Sequence, residues 1–454
     1  MPLGDGAGRE SGRIRRAVGA VLIAPAIVLA ACASDGPSLP KISDLNPFKE
    51  KATPLPGRRI PVVETTDSIA SNLALADQPI ILPPQRANES WPQSGGEANN
   101  APGNLALNGA VRQAWSQSAG EGSSKAGRVM ASPIVFDGKV FTLDAEANVS
   151  AFSMAGGKIF KVSTAPETES DGGGGHGGGL AGDNGRLFVA NGFGVVASLD
   201  PGSGKVLWQK NLGAPVRAAP TVAGDKIFVV TVSGRFFCLS TLDGAEIWSV
   251  RGLPQQASLT TSTSPAVDGD IVVVPYPSGD LMALKVADGS PVWTESLART
   301  RATSQLASMS DASRPAIDGG TVYAVGHAGR MIATNAHTGE RLWTVNVPSM
   351  QTPCVAGDTV YVVDTSGKLM ALSRADGSTR WTASLPETRV WSGPVLAGGT
   401  LWLASGKGRL IGVDAATGKV GSAMDLGDPV YIPPIVAQGR MFVLTDTAKL
   451  IALN

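Results

Sequence analysis

One spacing governs what this chain can fold into. A Pro or Leu and a small residue recur 18 positions apart: Pro133 and Ala151, Leu180 and Ser198, Pro220 and Cys238, Pro265 and Ala283. The series continues with Pro315 and Ala333, Pro353 and Ala371, Pro394 and Gly412, and Pro434 and Ala452. Eight gap-free copies of one spacing mark a repeat architecture, whose units bury their apolar faces only by stacking on neighbours. Ten positions after the second anchor stand Trp208, Trp248, Trp293, Trp343 and Trp381, while Lys161 and Ser422 hold that place in the first and seventh units.

Each unit reads as four strands, a to d. Strand a opens at the first anchor, and strand b is a β-branched run such as Ile227-Phe228-Val229-Val230. A turn follows with Gly194, Gly234, Gly279, Gly329, Gly367 or Gly408, always four positions before the second anchor, where a tight hairpin needs a positive φ. Strand c carries the second anchor. A further turn, such as Asp376-Gly377, leads to strand d, which ends on Trp. The eighth unit stops at Asn454, before its strand d. An orphan strand ending on Trp115 precedes the first unit. The expected fold is therefore all-β: an eight-bladed β-propeller of four-stranded antiparallel blades, the last blade closed by the N-terminal strand. At roughly 43 residues per blade, the length from Gly109 onward suits four-stranded blades.

Three regions follow from composition. Residues 1–31 read as a signal peptide: Arg9, Arg13, Arg15 and Arg16 precede an apolar run from Ala17 to Leu29, too short to span a bilayer comfortably. Residues 32–105 are rich in Pro and Ser with no sustained apolar period, and are expected to form a flexible tether. Residues 106–454 carry the propeller. Lys+Arg and Asp+Glu are both 38, so the overall charge gives no reason to expect nucleic acid as a partner.

Two resemblances sharpen this reading. Leu29-Ala30-Ala31-Cys32 resembles the lipobox of bacterial lipoproteins, which implies that Cys32 becomes an acylated N-terminus. By the sorting rule of such lipoproteins, Ala33 favours the outer membrane. The pattern from Ser198 to Trp208, with Gly204-Lys205 between them, resembles the repeat of pyrroloquinoline-quinone dehydrogenases. A lone eight-bladed ring of these repeats behind a lipobox resembles the BamB-type lipoproteins of outer-membrane β-barrel assembly. The resemblance covers about 108–454. It implies a non-catalytic scaffold, lipid-anchored at the outer membrane and facing the periplasm. The implied partners are the POTRA domains of a BamA-type insertase, other barrel-assembly lipoproteins and unfolded outer-membrane proteins.

The family's insertase contacts map onto the two longest d–a connections. The gap from Trp248 to Pro265 is 17 residues and that from Trp293 to Pro315 is 22, against 10 from Trp343 to Pro353. Leu259 fits the family's first loop, where Thr260 replaces an Arg. Ser310 and Asp311 fit the second, where Ser313 replaces an Asp. Arg299 and Arg301 offer charge nearby. Trp115, Trp208, Trp248, Trp293, Trp343 and Trp381 are expected to dock blade against blade.

Other chemistry finds little footing. The three cysteines, Cys32, Cys238 and Cys354, are not adjacent, whereas quinone dehydrogenases of this repeat family usually carry a Cys-Cys pair. No cofactor is expected. His176, His327 and His337 lie on different units without metal-ligand spacing, so no metal is expected either. The Gly-rich run 171–179 lacks the Lys-Ser/Thr of a phosphate loop and reads as a flexible approach to blade two. The alternatives to the scaffold are a periplasmic quinoprotein dehydrogenase and another envelope-binding propeller.

Overall fold

Each repeat closes into one four-stranded antiparallel sheet in a computed structural model that describes residues 79–166, 176–252, 263–276, 278–297 and 312–454. Strand β1 is Gln113–Ser118, and blade one is β2–β5 (Ile134–Phe136, Lys139–Leu143, Asn148–Ser153, Lys158–Ser163). Blade two is β6–β9 (Gly178–Asp183, Arg186–Asn191, Val195–Leu199, Val206–Asn211). Blade three is β10–β13 (Thr221–Ala223, Lys226–Val230, Arg235–Ser240, Glu246–Arg251). Blade four is β14–β17 (Ala266–Asp268, Ile271–Pro275, Asp280–Lys285, Pro291–Ser296). Blade five is β18–β21 (Ala316–Asp318, Thr321–Val325, Met331–Asn335, Arg341–Val345). Blade six is β22–β25 (Cys354–Ala356, Thr359–Val363, Lys368–Ser373, Thr379–Ser384). Blade seven is β26–β29 (Trp391–Ala397, Thr400–Ser405, Arg409–Asp414, Val420–Asp425). Blade eight takes β30–β32 (Ile435–Ala437, Arg440–Leu444, Lys449–Leu453), and β1 supplies its outer strand, with Trp115 opposite Ala452 and Gln117 opposite Leu450. The eight-bladed ring with its N-terminal closing strand is thus the observed architecture.

The core lies between blades. One apolar cluster joins blades one and two through Phe141, Leu143, Leu187 and Val189, and another joins blades five and six through Tyr323, Met331, Val360 and Met370. The small second anchor has a steric reason. In six blades an aromatic on strand b and one on strand d flank it across the sheet, as Tyr361 and Trp381 flank Ala371, with ring centroids 5.9 Å apart, while blade four has Val273 on strand b and blade seven has no aromatic on strand d. A larger residue there would overfill the gap.

The repeat Trp side chains reach across blades. The indole N–H groups of Trp115, Trp208, Trp248, Trp293, Trp343 and Trp381 donate to carbonyls of the following blade at 2.8 to 3.2 Å. Each ring also lies over a glycine in that blade's c–d turn. A Cβ on Gly244, whose φ is +72°, would come within 2.7 Å of the Trp208 ring. In blade one the aromatic is Phe160, opposite Ala151, and not Lys161. Its c–d turn is one residue shorter, so the ten-residue count overshoots. Blade seven compensates differently: Gly412 lies opposite Trp402, whose larger ring on strand b occupies the space left where no d-strand aromatic stands.

The glycines of the b–c turns adopt positive φ, but blades one and eight place Ala147 (+61°) and Ala448 (+55°) there. A left-handed non-Gly residue costs roughly 1–2 kcal/mol, partly offset by glycine's greater entropy loss. Ala448→Gly is therefore expected to stabilise the protein by about 0.5–1 kcal/mol, read as a higher midpoint in urea unfolding; a lower midpoint would contradict this account of the turn.

The tether reading fails for its last part. Residues 79–108 are ordered against the ring, and positions 88–105 make a circuit of its inner strands. Asn88 bonds to blade eight, donating to Val436 O and accepting from Gln438 N. Trp91 exchanges both backbone bonds with Val135 of blade one. Pro92 O accepts from Gly182 N of blade two, and the Gln93 amide pairs with both backbone groups of Val222 in blade three. Ala98 O and Asn99 O accept from Val267 N and Ile317 N in blades four and five, and Ala101 packs on the cluster of blades five and six. Leu105 closes the circuit on Leu396 and Gly398 of blade seven. The physical reason is an unpaired edge: an innermost strand exposes backbone groups to the channel, and the belt bonds to such groups in every blade but the sixth among the described residues. Positions 32–78 of the expected tether, and the signal segment 1–31, lie outside the described residues.

Candidate functional site

The two ends of the channel differ because the turns differ. The a–b and c–d turns share one face, and the belt sits at that end, with Asn108 and Leu105 bonded to Gly439 and Gly398 in the a–b turns of blades eight and seven. The opposite face carries the b–c turns and the d–a connections. There the channel opens as a funnel of about 600 Å³, with Met130, Met350, Trp391 and Ile432 among its apolar lining.

Arg314 joins the two ends. It lies just before β18, lines the funnel, and is only 5% exposed. Its terminal nitrogens donate to Ser94 O at 3.1 Å and Ser94 Oγ at 2.6 Å on the belt. Burial draws its pKa down to about 10, so the guanidinium stays charged at neutral pH. Arg128 and His176 add basic groups to the lining. Asp446 also lines it, its Oδ1 taken by the Ser123 hydroxyl at 2.5 Å.

The sequence-derived contact residues Leu259, Arg299, Arg301, Ser310 and Asp311 lie outside the described residues, as does Cys32. Connectivity assigns the first five to the d–a connections between β13 and β14 and between β17 and β18. Cys238 is buried and its thiol is pushed up to about 12 by desolvation; Cys238 and Cys354 are both free. Cys238 thus behaves as a small buried side chain, and Cys354 packs partly buried against the cluster of blades six and seven. His337 sits 3.5 Å from Asp270 at the surface. Among the described residues no group of three or more His, Cys, Asp or Glu side chains could hold a metal ion. Of the Gly-rich run, Gly178 and Gly179 belong to β6. A Cβ on Gly179 would meet Ala219 at 2.3 Å, so this glycine is required for packing and not for looseness. Sequence reasoning missed Arg314 and the belt. The available signal was a buried-type Trp91 and Leu105 inside an otherwise polar stretch.

Known proteins now bear on this ring. A family described as "Outer membrane protein assembly factor BamB" matches residues 145–383 and 376–454, well over half of the chain. The chain belongs to the BamB family. BamB of Shewanella oneidensis is 28% identical over 123 residues, 26% of this chain and 31% of that protein. BamB of Moranella endobia is 32% identical over 78 residues, 15% of this chain and 20% of that protein. An uncharacterized protein of Rickettsia prowazekii is 28% identical over 136 residues, 30% of this chain and 32% of its own length. The matched stretches thus span a third or less of these relatives. Among solved structures, BamB from Moraxella catarrhalis superposes with a TM-score of 0.65 at 18% identity, covering 76% of this chain and all of that one. A quinohemoprotein alcohol dehydrogenase from Comamonas testosteroni gives 0.65 at 13% identity, covering 80% of each. At such identities both likenesses speak for the fold alone. It is the family match that separates the BamB reading from that of its dehydrogenase neighbours.

Proposed function

We propose that this BamB-family chain is a non-catalytic scaffold of the outer-membrane β-barrel assembly machinery, binding a BamA-type insertase and aiding assembly and insertion of barrel proteins. The observation that carries this is the family match over residues 145–454. The cysteines weigh on the same side, since Cys32, Cys238 and Cys354 offer no adjacent pair of the kind seen in quinone dehydrogenases. In this reading Cys32 is acylated and holds the chain at the outer membrane, facing the periplasm. Cys32→Ala should leave unprocessed precursor or soluble product on fractionation, and normal membrane partition of that variant would remove the lipid anchor from the account.

The docking surface in this reading is the funnel face. The connections at 253–262 and 298–311 join blades three to four and four to five there. A rigid ring presenting long connections on one face is where binding residues usually sit. Leu259 would fill an apolar pocket, while Asp311, with Ser310 beside it, would pair with a cation. Arg299 and Arg301 would add charge contacts. Each anchor can contribute about 2 kcal/mol or more, roughly thirty-fold in affinity. Leu259→Ala and Asp311→Ala are each expected to weaken capture of the insertase from solubilised envelopes by that order. Undiminished capture with an intact fold would place the interface elsewhere.

A further inference from the structure

We propose that the inner edge of blade six, approached from the funnel, takes one extended segment of a partner polypeptide as an added strand, through the backbone N–H and C=O of Val355. The ring itself shows what such an edge binds. The second residue after each first anchor turns backbone groups to the channel, and in seven blades the belt bonds to them. Trp91 exchanges both bonds with Val135, and the Gln93 carboxamide does the same with Val222. Gly182, Val267 and Ile317 donate to belt carbonyls, while Leu396 and Val436 accept from Leu105 N and Asn88 Nδ2. Val355 is the equivalent residue of blade six. It pairs with Val360 in the register in which Val135 pairs with Val140, so its N–H and C=O face the channel in the same way. Among the described residues no belt group bonds to it. The belt crosses this sector with its groups committed elsewhere. The Asn100 amide donates to Pro265 O and Pro315 O, the Asn104 amide donates to Pro83 O, and Pro102, which has no N–H, gives its carbonyl to Arg86. Space is present as well. A Cβ on Gly103 would meet no atom within 4 Å. Cys354 is partly exposed, whereas its equivalents in the other blades, Ile134 and Ala316 among them, are buried. The funnel wall leads to this edge, because Met350, Gln351 and Thr352 line the funnel and run directly into β22. A donor and an acceptor side by side on a strand edge match the backbone of an extended chain of any sequence, and pockets for its alternate side chains set the preference. Met350, Trp391 and Ile432 offer those side chains apolar surface.

The inference deepens the scaffold reading by giving the ring a place for one strand of an unfolded client, and it rests on that reading only for the identity of the client. The test uses the purified full chain and a capped six-residue peptide of alternating threonine and valine, with an analogue N-methylated at every residue. Hydrogen exchange is read at single residues. In the free chain the Val355 amide should exchange at least about ten-fold faster than those of Val135, Val222, Val267 and Ile317, which the belt holds. Saturating peptide should slow Val355 at least about ten-fold and leave those four unchanged. The analogue keeps the side chains but has no backbone donor, and at the same concentration it should leave Val355 as it was. Thr352→Trp, at a partly exposed position on the approach, should raise the peptide concentration that half-protects Val355 several-fold with an unchanged melting temperature. Val355 exchanging as slowly as the four belt-bonded amides, or no protection by the peptide, overturns the proposal. So does equal protection by the analogue, which would make the funnel a site for apolar side chains alone, and so does undiminished protection in Thr352→Trp. No insertase is present in this assay, so its failure leaves the docking proposal standing.

Discussion

Replacing residues 110–118 with a Gly-Ser linker of the same length is expected to open the ring. Strand β1 pairs along β32, whose Leu450, Ile451, Ala452 and Leu453 are fully buried. Without β1 these backbone groups face solvent as an unpaired edge, a template for association between chains. The Trp115 ring, 6.0 Å from Phe442, and its bond to Met154 O in blade one are lost as well. Loss of a packed Trp alone costs about 3–5 kcal/mol, and net stabilities are about 5–15 kcal/mol. The variant should melt at least about 4 °C lower and elute as oligomers in size exclusion. A monomer as stable as the parent would mean that blade eight does not depend on β1 for closure.

Trp91→Ala carries the second large effect. Trp91 is 3% exposed and lies in the cluster that joins blades seven, eight and one. Truncating it leaves a cavity in that seam, at a cost of about 3–5 kcal/mol. Arg86→Ala, at an exposed belt position whose ion pair with Glu97 is solvent-facing, should stay within about 0.5 kcal/mol. Urea unfolding of the two variants separates the cases. If Trp91→Ala leaves the midpoint unchanged, the belt is not part of the folded unit in solution. A fall in midpoint with raised proteolysis between 79 and 108 would show that the belt detaches as one piece.

The fold was legible because its determinants are local and repeated. Turn glycines, β-branched strands and the small residue between two aromatics each recur at fixed spacing, so each position is read several times over. Where the local geometry shifts, the count misleads, as at Lys161, where a shortened turn moves the aromatic to Phe160. The belt escaped for the opposite reason. It is held mainly by backbone bonds to strands far away in sequence, such as Gln438 N–H to Asn88 O, and such bonds leave no period in the sequence. Its Pro and Ser content describes a chain that forms no core of its own, which is compatible with a tether and with an ordered strap alike. Arg314 was invisible as a site residue because it stands in a d–a connection of variable length, outside the repeat. Its significance comes from Ser94, 220 positions away. Leu259, Ser310 and Asp311 came from resemblance, and physical reasoning on the sequence adds only that long connections on one face suit a partner.

The scaffold account turns on one binding measurement. Purified chain, immobilised through its C-terminus, is exposed to the isolated periplasmic POTRA domains of the BamA-type insertase from the same cells. The account requires saturable binding with a single stoichiometry, weakened roughly thirty-fold by Leu259→Ala or Asp311→Ala, and no redox cofactor released from the protein on denaturation. Absence of binding by a correctly folded chain, or a quinone released in stoichiometric amount, would contradict it.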